Sequence, residues 1–238
     1  MTHARTTILV LALVLPLLLV VAVWLQPFTA PRNLLRDPLV VAATFQENGW
    51  PCCSNLLGAV SSVGTMVWTV AATLCAFVAT MLWLRRAEAD MVLFFATAAA
   101  FSLWLMLDDG FMIHETYKLG TVAGLSLTAW PLVLFSAALL VQAVRLRDRI
   151  DWPLLLWAFW ALGASWLIDK FAGHPALHLG GRRAFVEDAF KVFGIFAWAG
   201  CFARQSLVAL AGVPDTERRM ALQRNPKKRG TASEMAGT

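Results

Sequence analysis

The sequence predicts an all-α polytopic membrane bundle of six spans, and three observations carry that prediction. Of 238 residues, 59% are hydrophobic and only 15% charged, against roughly 25% charged in soluble domains. The apolar residues gather in six blocks, each near the ~20 residues that cross a bilayer as a helix. The basic residues gather in alternate connections of a six-span chain, and so on one side of it, which is the cytoplasmic side. The same arithmetic excludes a coiled coil, a collagen, a disulfide scaffold and a disordered regulator. Membrane lipids are the expected surroundings and nucleic acid is not an expected partner.

The spans follow in order. The first block, 8–25, stands behind a short head carrying Arg5, as a secretory signal would. Its uncharged run exceeds the ~7–15 residues of a signal core and no small-x-small cleavage site follows, so it is predicted as a retained helix. The second block, 56–84, is long enough to tilt. The third is 91–109, the fourth 124–144 with Pro131 as its expected kink, the fifth 152–168 and the sixth 186–211. Residues 1–213 thus form one transmembrane domain.

Orientation comes from Arg5, Arg85, Arg86, Arg145, Arg147 and Arg149, and from Arg218, Arg219, Arg224, Lys227, Lys228 and Arg229 in the tail. All lie on one side, which places both termini in the cytoplasm, and a bacterial inner membrane is the expected location. Beyond Pro214 the apolar blocks stop. Residues 214–238 read as a disordered basic tail that anchors topology, with anionic headgroups as its alternative partner.

Gly58, Ser62, Thr65, Thr69, Ala72, Ala76 and Thr80 recur at three- and four-residue steps in the second span. At 3.6 residues per turn they form one stripe of small side chains, which lets helix backbones approach in lipid. The second span is therefore expected to be the central packing post. The alternative is that Ser61, Ser62 and Asn55 reach into a polar site.

Ionisable residues gather where three span ends meet the extracytoplasmic side. Asp108, Asp109, His114 and Glu115 close the third span, Asp169 and Lys170 the fifth, and Glu187, Asp188 and Lys191 open the sixth. Charges at membrane depth are costly, about 2.5–3.5 kcal/mol each at the centre. Asp108 and Asp109 also face the negative end of their own helix dipole, so they need a compensating cation. One source is internal: Lys118, Lys170, Arg182, Arg183 and Lys191 could pair with the six acids. The other is a divalent metal such as zinc, with Asp108, Asp109, His114 and Asp188 as ligands. A third helix continuing past Gly110 would set Asp108 and Glu115 on one face, two turns apart. Lys191 has two arrangements open, within its own helix to Glu187 or Asp188, or across to Asp108 or Asp109.

The remaining polar residues say less. His174 and His178 are four apart, but Pro175 disfavours helix at His174, and they read as loop residues. Cys52 and Cys53 are adjacent on the outer side, and their oxidation state stays open. Cys75 and Cys201 read as small packing residues. Tryptophans such as Trp24, Trp50 and Trp152 fall near predicted interfaces.

The strings NLLGAVSSVGTMVW (55–68), LDDGFMIHE (107–115) and EDAFKVFGIFAW (187–198) resemble the recurring blocks of a family of bacterial multi-pass membrane proteins, itself uncharacterised. That resemblance implies the six-span fold and no particular activity. More distantly, the chain is similar to the alkaline ceramidase and adiponectin receptor superfamily, membrane hydrolases holding zinc with three histidines, an aspartate and a serine. The similarity implies Asp109 and His114 for the early ligands, Ser62 for the serine, and His174 with His178 for the late ones. The chain departs from that pattern in having six spans instead of seven and Pro175 between its late histidines.

These residues support three expectations. One is metal-assisted hydrolysis at the lipid headgroup level, with Glu115 or Glu187 as general base. Another is a proton- or cation-coupled transporter using the same carboxylates and Lys191 as a relay. The third is a structural or sensor protein built on an ion-paired bundle that includes Asp169. Substrate and oligomeric state are open in all three.

Overall fold

A computed structural model describes residues 2–36, 38–48, 56–113, 120–122, 125–171 and 182–212. The elements are α1 (Thr2–Leu25), α2 (Pro31–Leu35), α3 (Pro38–Glu47), α4 (Ala59–Leu84), α5 (Ala89–Phe111), a two-residue strand pair β1 (Thr121–Val122) and β2 (Leu125–Ser126), α6 (Trp130–Arg145), α7 (Trp152–Lys170) and α8 (Arg183–Gly212). Among the described residues six helical segments are long and apolar enough to cross a bilayer: α1, α4, α5, α6 with the turn before it, α7 and α8. The protein is thus an all-helical, multi-pass membrane protein. The tail, 213–238, lies outside the described residues.

Boundaries shift where local chemistry demands it. α6 starts at Trp130, so Pro131 sits in its first turn, where a missing N–H costs nothing, and it does not kink the span as expected. α5 ends at Phe111 because Met112 is left-handed and donates its N–H to the Asp108 carbonyl. α5 therefore does not run on unbroken past Met112, which is the premise for setting Asp108 and Glu115 on one face, and Glu115 itself lies outside the described residues. The first outer connection, expected as a loop, carries α2 and α3. Both close on the start of α4: Gly58 has φ +63°, its N–H donates to the Asn33 carbonyl of α2, and a Cβ there would lie 2.5 Å from Pro38 Cδ of α3.

The helices pack in the order α6, α5, α4, α8, with α8 also covered by α7 and α1. The sixth span, not the second, is the central post: 61% of its apolar window is buried, against 39% for α4 and for α5. Glycines make its close contacts. A Cβ on Gly194 would come within 2.6 Å of Leu162 Cγ in α7, and one on Gly200 within 2.5 Å of Ala12 Cβ in α1. In lipid no water drives helices together, so such close backbone approach is a main source of association.

The stripe of small residues on α4 is largely not its packing face. Thr69, Ala76 and Thr80 are exposed, and Thr65, Thr69, Thr73 and Thr80 each donate a hydroxyl to the carbonyl four residues earlier. A threonine satisfied by its own helix has no need of a neighbour. The buried face of α4 is Val60, Gly64, Trp68, Ala71, Cys75, Val78 and Leu82, a three-four alternation that runs beside α8. At its centre Trp198 is fully buried and edges against Trp68, Phe101 and Phe159, with Phe202 beside it. Its indole N–H donates to Ser102 Oγ at 2.9 Å, and Ser102 donates in turn to the Ala98 carbonyl.

Candidate functional site

The end at which α5 and α7 finish and α4 and α8 begin is called outer, after the orientation the charges predict. Side chains lean toward the N-terminus of their helix. On α4 and α8 that direction is outward, and on α5, running the other way, it is inward. Trp68, Lys191 and Asp109 therefore converge from three helices on one level. Trp68 Nε1 donates to Asp109 Oδ2 at 2.9 Å, and Lys191 Nζ stands 3.0 Å from Asp109 Oδ1. The Asp109 side chain is 11% exposed and that of Lys191 30%. The cation that the end of the third span required is thus at hand, and Lys191 makes the interhelical contact that was one of the two open to it.

Asp108 faces elsewhere. It continues the buried stripe of α5 through Phe94, Ala98, Phe101 and Leu105 and is 6% exposed. Around the start of α8 a second ion-paired group forms on Arg183. Its Nη2 donates to Asp169 Oδ1 at 3.2 Å and to the Asp169 carbonyl at 3.0 Å, its Nε donates to the Ile168 carbonyl, and Glu187 Oε2 lies 3.7 Å away. Arg183 so caps the last turn of α7, whose carbonyls have no partner within the helix. Arg183, Glu187 and Lys191 are four apart and share one face of α8, which links the two groups. Asp188 is half-buried on the same turn, and Ser62 is half-buried near the start of α4.

Among the residues named from sequence, the structure brings Asp109 and Lys191 together directly, and Asp169 and Glu187 through Arg183. His114 and Glu115 lie outside the described residues, as do His174, His178, Asn55, Cys52, Cys53 and Lys118. Among the described residues no three His, Cys, Asp or Glu side chains are placed to hold a metal ion. Asp109 has a donor at each of its oxygens, Trp68 at one and Lys191 at the other.

Sequence reasoning missed three participants. Trp68 and Trp198 sit in mid-span, away from the interfacial positions that tryptophan favours, which is the signal that marks them. Arg204 lies inside the sixth apolar block and pairs with Asp151 Oδ2 at 2.7 Å at the inner end. An ionisable residue within a span is itself a flag for a partner. The ion pairs of α8 at Lys191 and at Arg204 are thirteen residues and about 20 Å apart along the axis, with the Trp198 cluster between them.

A family model described as a domain of unknown function, DUF8692, matches residues 7–205, and the chain belongs to that family. No curated protein and no solved structure matches the chain.

Proposed function

We propose that this member of the DUF8692 family is a membrane-embedded sensor whose outer polar cluster is an electrostatic clasp and not a catalytic centre. Asp109 carries the reading. Its two oxygens are held by Trp68 of α4 and Lys191 of α8, so one side chain of α5 ties three spans together. Neutralising it, by a competing cation from the outer side, frees α8 from α4 and α5 at its outer end, where Arg183 still ties it to α7. The rest of α8 stays pinned by Trp198 and by the Arg204–Asp151 pair. The output is a change in the position of α8 against α4 and α5. Such a clasp draws on the strength of ion pairs where water is scarce, and it remains within reach of solvent through the 30% exposure of Lys191.

The test combines stability, distance and metal content on the detergent-purified full chain. Asp109→Asn and Lys191→Met each lower the midpoint of thermal unfolding, and the exchange Asp109→Lys with Lys191→Asp recovers part of the loss. Spin labels at positions 111 and 182, both exposed, in a background without Cys52 and Cys53, report a changed distance in Asp109→Asn. An unchanged distance sinks the sensor reading. Stoichiometric metal that vanishes in both Asp109→Asn and His114→Ala would instead favour metal-assisted hydrolysis at the headgroup level, with Asp108 and Asp188 as further ligands. Flux into proteoliposomes driven by a pH gradient would favour the transporter.

A further inference from the structure

The inner end of the bundle brings together two turns that are far apart in sequence. The turn after α4 carries Arg85 and Arg86, and the turn after α6 carries Arg147 and Arg149, with Arg145 as the last residue of that helix. An ion pair between Arg149 and Glu88 joins the two turns. Five exposed arginines thus stand on one rim, against Glu88, Asp90 and Asp148. Glu88 is taken by Arg149. Asp148 meets Arg147 at 3.9 Å with both side chains more than three-quarters exposed, a contact worth little. Among the described residues Arg85, Arg86 and Arg145 have no acidic partner.

Two further features tell what the rim is shaped for. Each arginine group stands next to exposed apolar side chains: Trp83 and Leu84 precede Arg85, and Val141 and Val144 lie on the turn leading to Arg145. Guanidinium above exposed hydrocarbon is complementary to a phosphate above acyl chains. Arg86, moreover, occupies the left-handed conformation at φ 52° that usually falls to glycine after a helix. The backbone there is fixed by hydrogen bonds from Arg86 to the Trp83 carbonyl and from Ala87 to the Leu82 carbonyl. A glycine would relieve the strain, but it would remove a guanidinium from the rim.

We propose that this rim is a binding site for the phosphate of an anionic phospholipid, with Arg85, Arg86 and Arg145 as its cations. Arginine presents paired donors that match phosphate oxygens. The site is separate from the outer clasp and stands whether or not that reading does.

Native mass spectrometry of the full chain in neutral detergent tests it, with phosphatidylglycerol and phosphatidylcholine of identical acyl chains as probes. The wild type retains phosphatidylglycerol preferentially. Arg85→Gln with Arg86→Gln and Arg145→Gln weakens that retention by roughly 100-fold, about fivefold per arginine, and leaves phosphatidylcholine unaffected. Replacing the six basic residues of the tail by glutamine leaves the preference in place. The proposal is overturned if both lipids bind alike, if the triple variant binds as the wild type does, or if only the tail variant loses the lipid. Should the triple variant not fold, salt decides on the wild type. A tenfold rise in ionic strength releases a lipid held by guanidinium and leaves one held by acyl packing, and the second outcome also overturns the proposal.

Discussion

Lys191, with Glu187 and Asp188 one turn away on its own helix, reaches 3.0 Å from Asp109 of another. An intrahelical pair would add a few tenths of a kcal/mol to α8 alone. The interhelical one offsets the unfavourable dipole at the end of α5 and fixes two spans to each other. Trp68 completes the junction with a neutral donor, so a single carboxylate is held from both sides.

The indole of Trp68 is therefore more than a large apolar body. Trp68→Phe keeps an aromatic ring against Trp198 and deletes the N–H that Asp109 accepts. We expect a loss of about 1.5–3 kcal/mol, the range for a hydrogen bond to a charged group. In Asp109→Asn the same substitution costs markedly less, because the two residues act on one interaction. A double-mutant cycle on thermal unfolding in detergent measures this, and strict additivity would show that the bond contributes nothing.

Ser102 poses the converse case of a neutral pair. Ser102→Ala leaves the Trp198 N–H buried without its acceptor, at a cost of about 1–3 kcal/mol. Adding Trp198→Phe removes the stranded donor, so the double variant is less destabilised than the sum of the single changes. Urea unfolding in mild detergent, followed by tryptophan fluorescence, reads the difference. If Ser102→Ala is neutral, the hydroxyl is no part of what holds Trp198.

The six spans were legible because an apolar run of about 20 residues has few alternatives in lipid. The packing post was not. Small residues on α4 look like a contact stripe in sequence, but threonine can bond its own helix, and the hydroxyls at 65, 69, 73 and 80 do so. The glycines of α8 that do make close contacts, Gly194 and Gly200, are spaced by six and form no short motif. Asp109 and Lys191 stood out as ionisable residues at one depth. Which acid the lysine meets depends on α5 and α8 being neighbours, and that adjacency is written in no local pattern. Arg204 carries a signal that the sequence reading passed over, a charge inside a span, and its partner Asp151, the residue just before another helix, carries none.

The close glycine contacts give a prediction with a built-in control. Gly200→Ala sets a methyl 2.5 Å from Ala12 Cβ, which has no rotamer to retreat into, and Gly194→Ala crowds Leu162. Overpacking of this kind costs about 1–3 kcal/mol. Gly163, also in a helix, has nothing within 4 Å of its virtual Cβ, so Gly163→Ala is neutral or gains about 0.5–1 kcal/mol of helix propensity. Melting midpoints of the three variants should fall, fall and hold or rise. A uniform response would show that α8 is not packed through its glycines.

At the inner end, Arg204 and Asp151 meet at 2.7 Å with side chains 22% and 15% exposed. Removing one member of such a pair strands the other, and Arg204→Leu should cost about 3 kcal/mol, the lower end for a buried pair broken one-sidedly, since both groups still touch solvent. Asp151→Asn combined with Arg204→Leu should cost less than Arg204→Leu alone, because no isolated charge is left. Arg204→Lys keeps the charge but not the planar donor pair and should fall between wild type and leucine. Because this pair lies about 20 Å from Lys191 along α8, its energy should add to that of Asp109→Asn without coupling. Coupling between the two ends would mean that α8 moves as one rigid body. The outer clasp would then be unable to open while the inner pair holds.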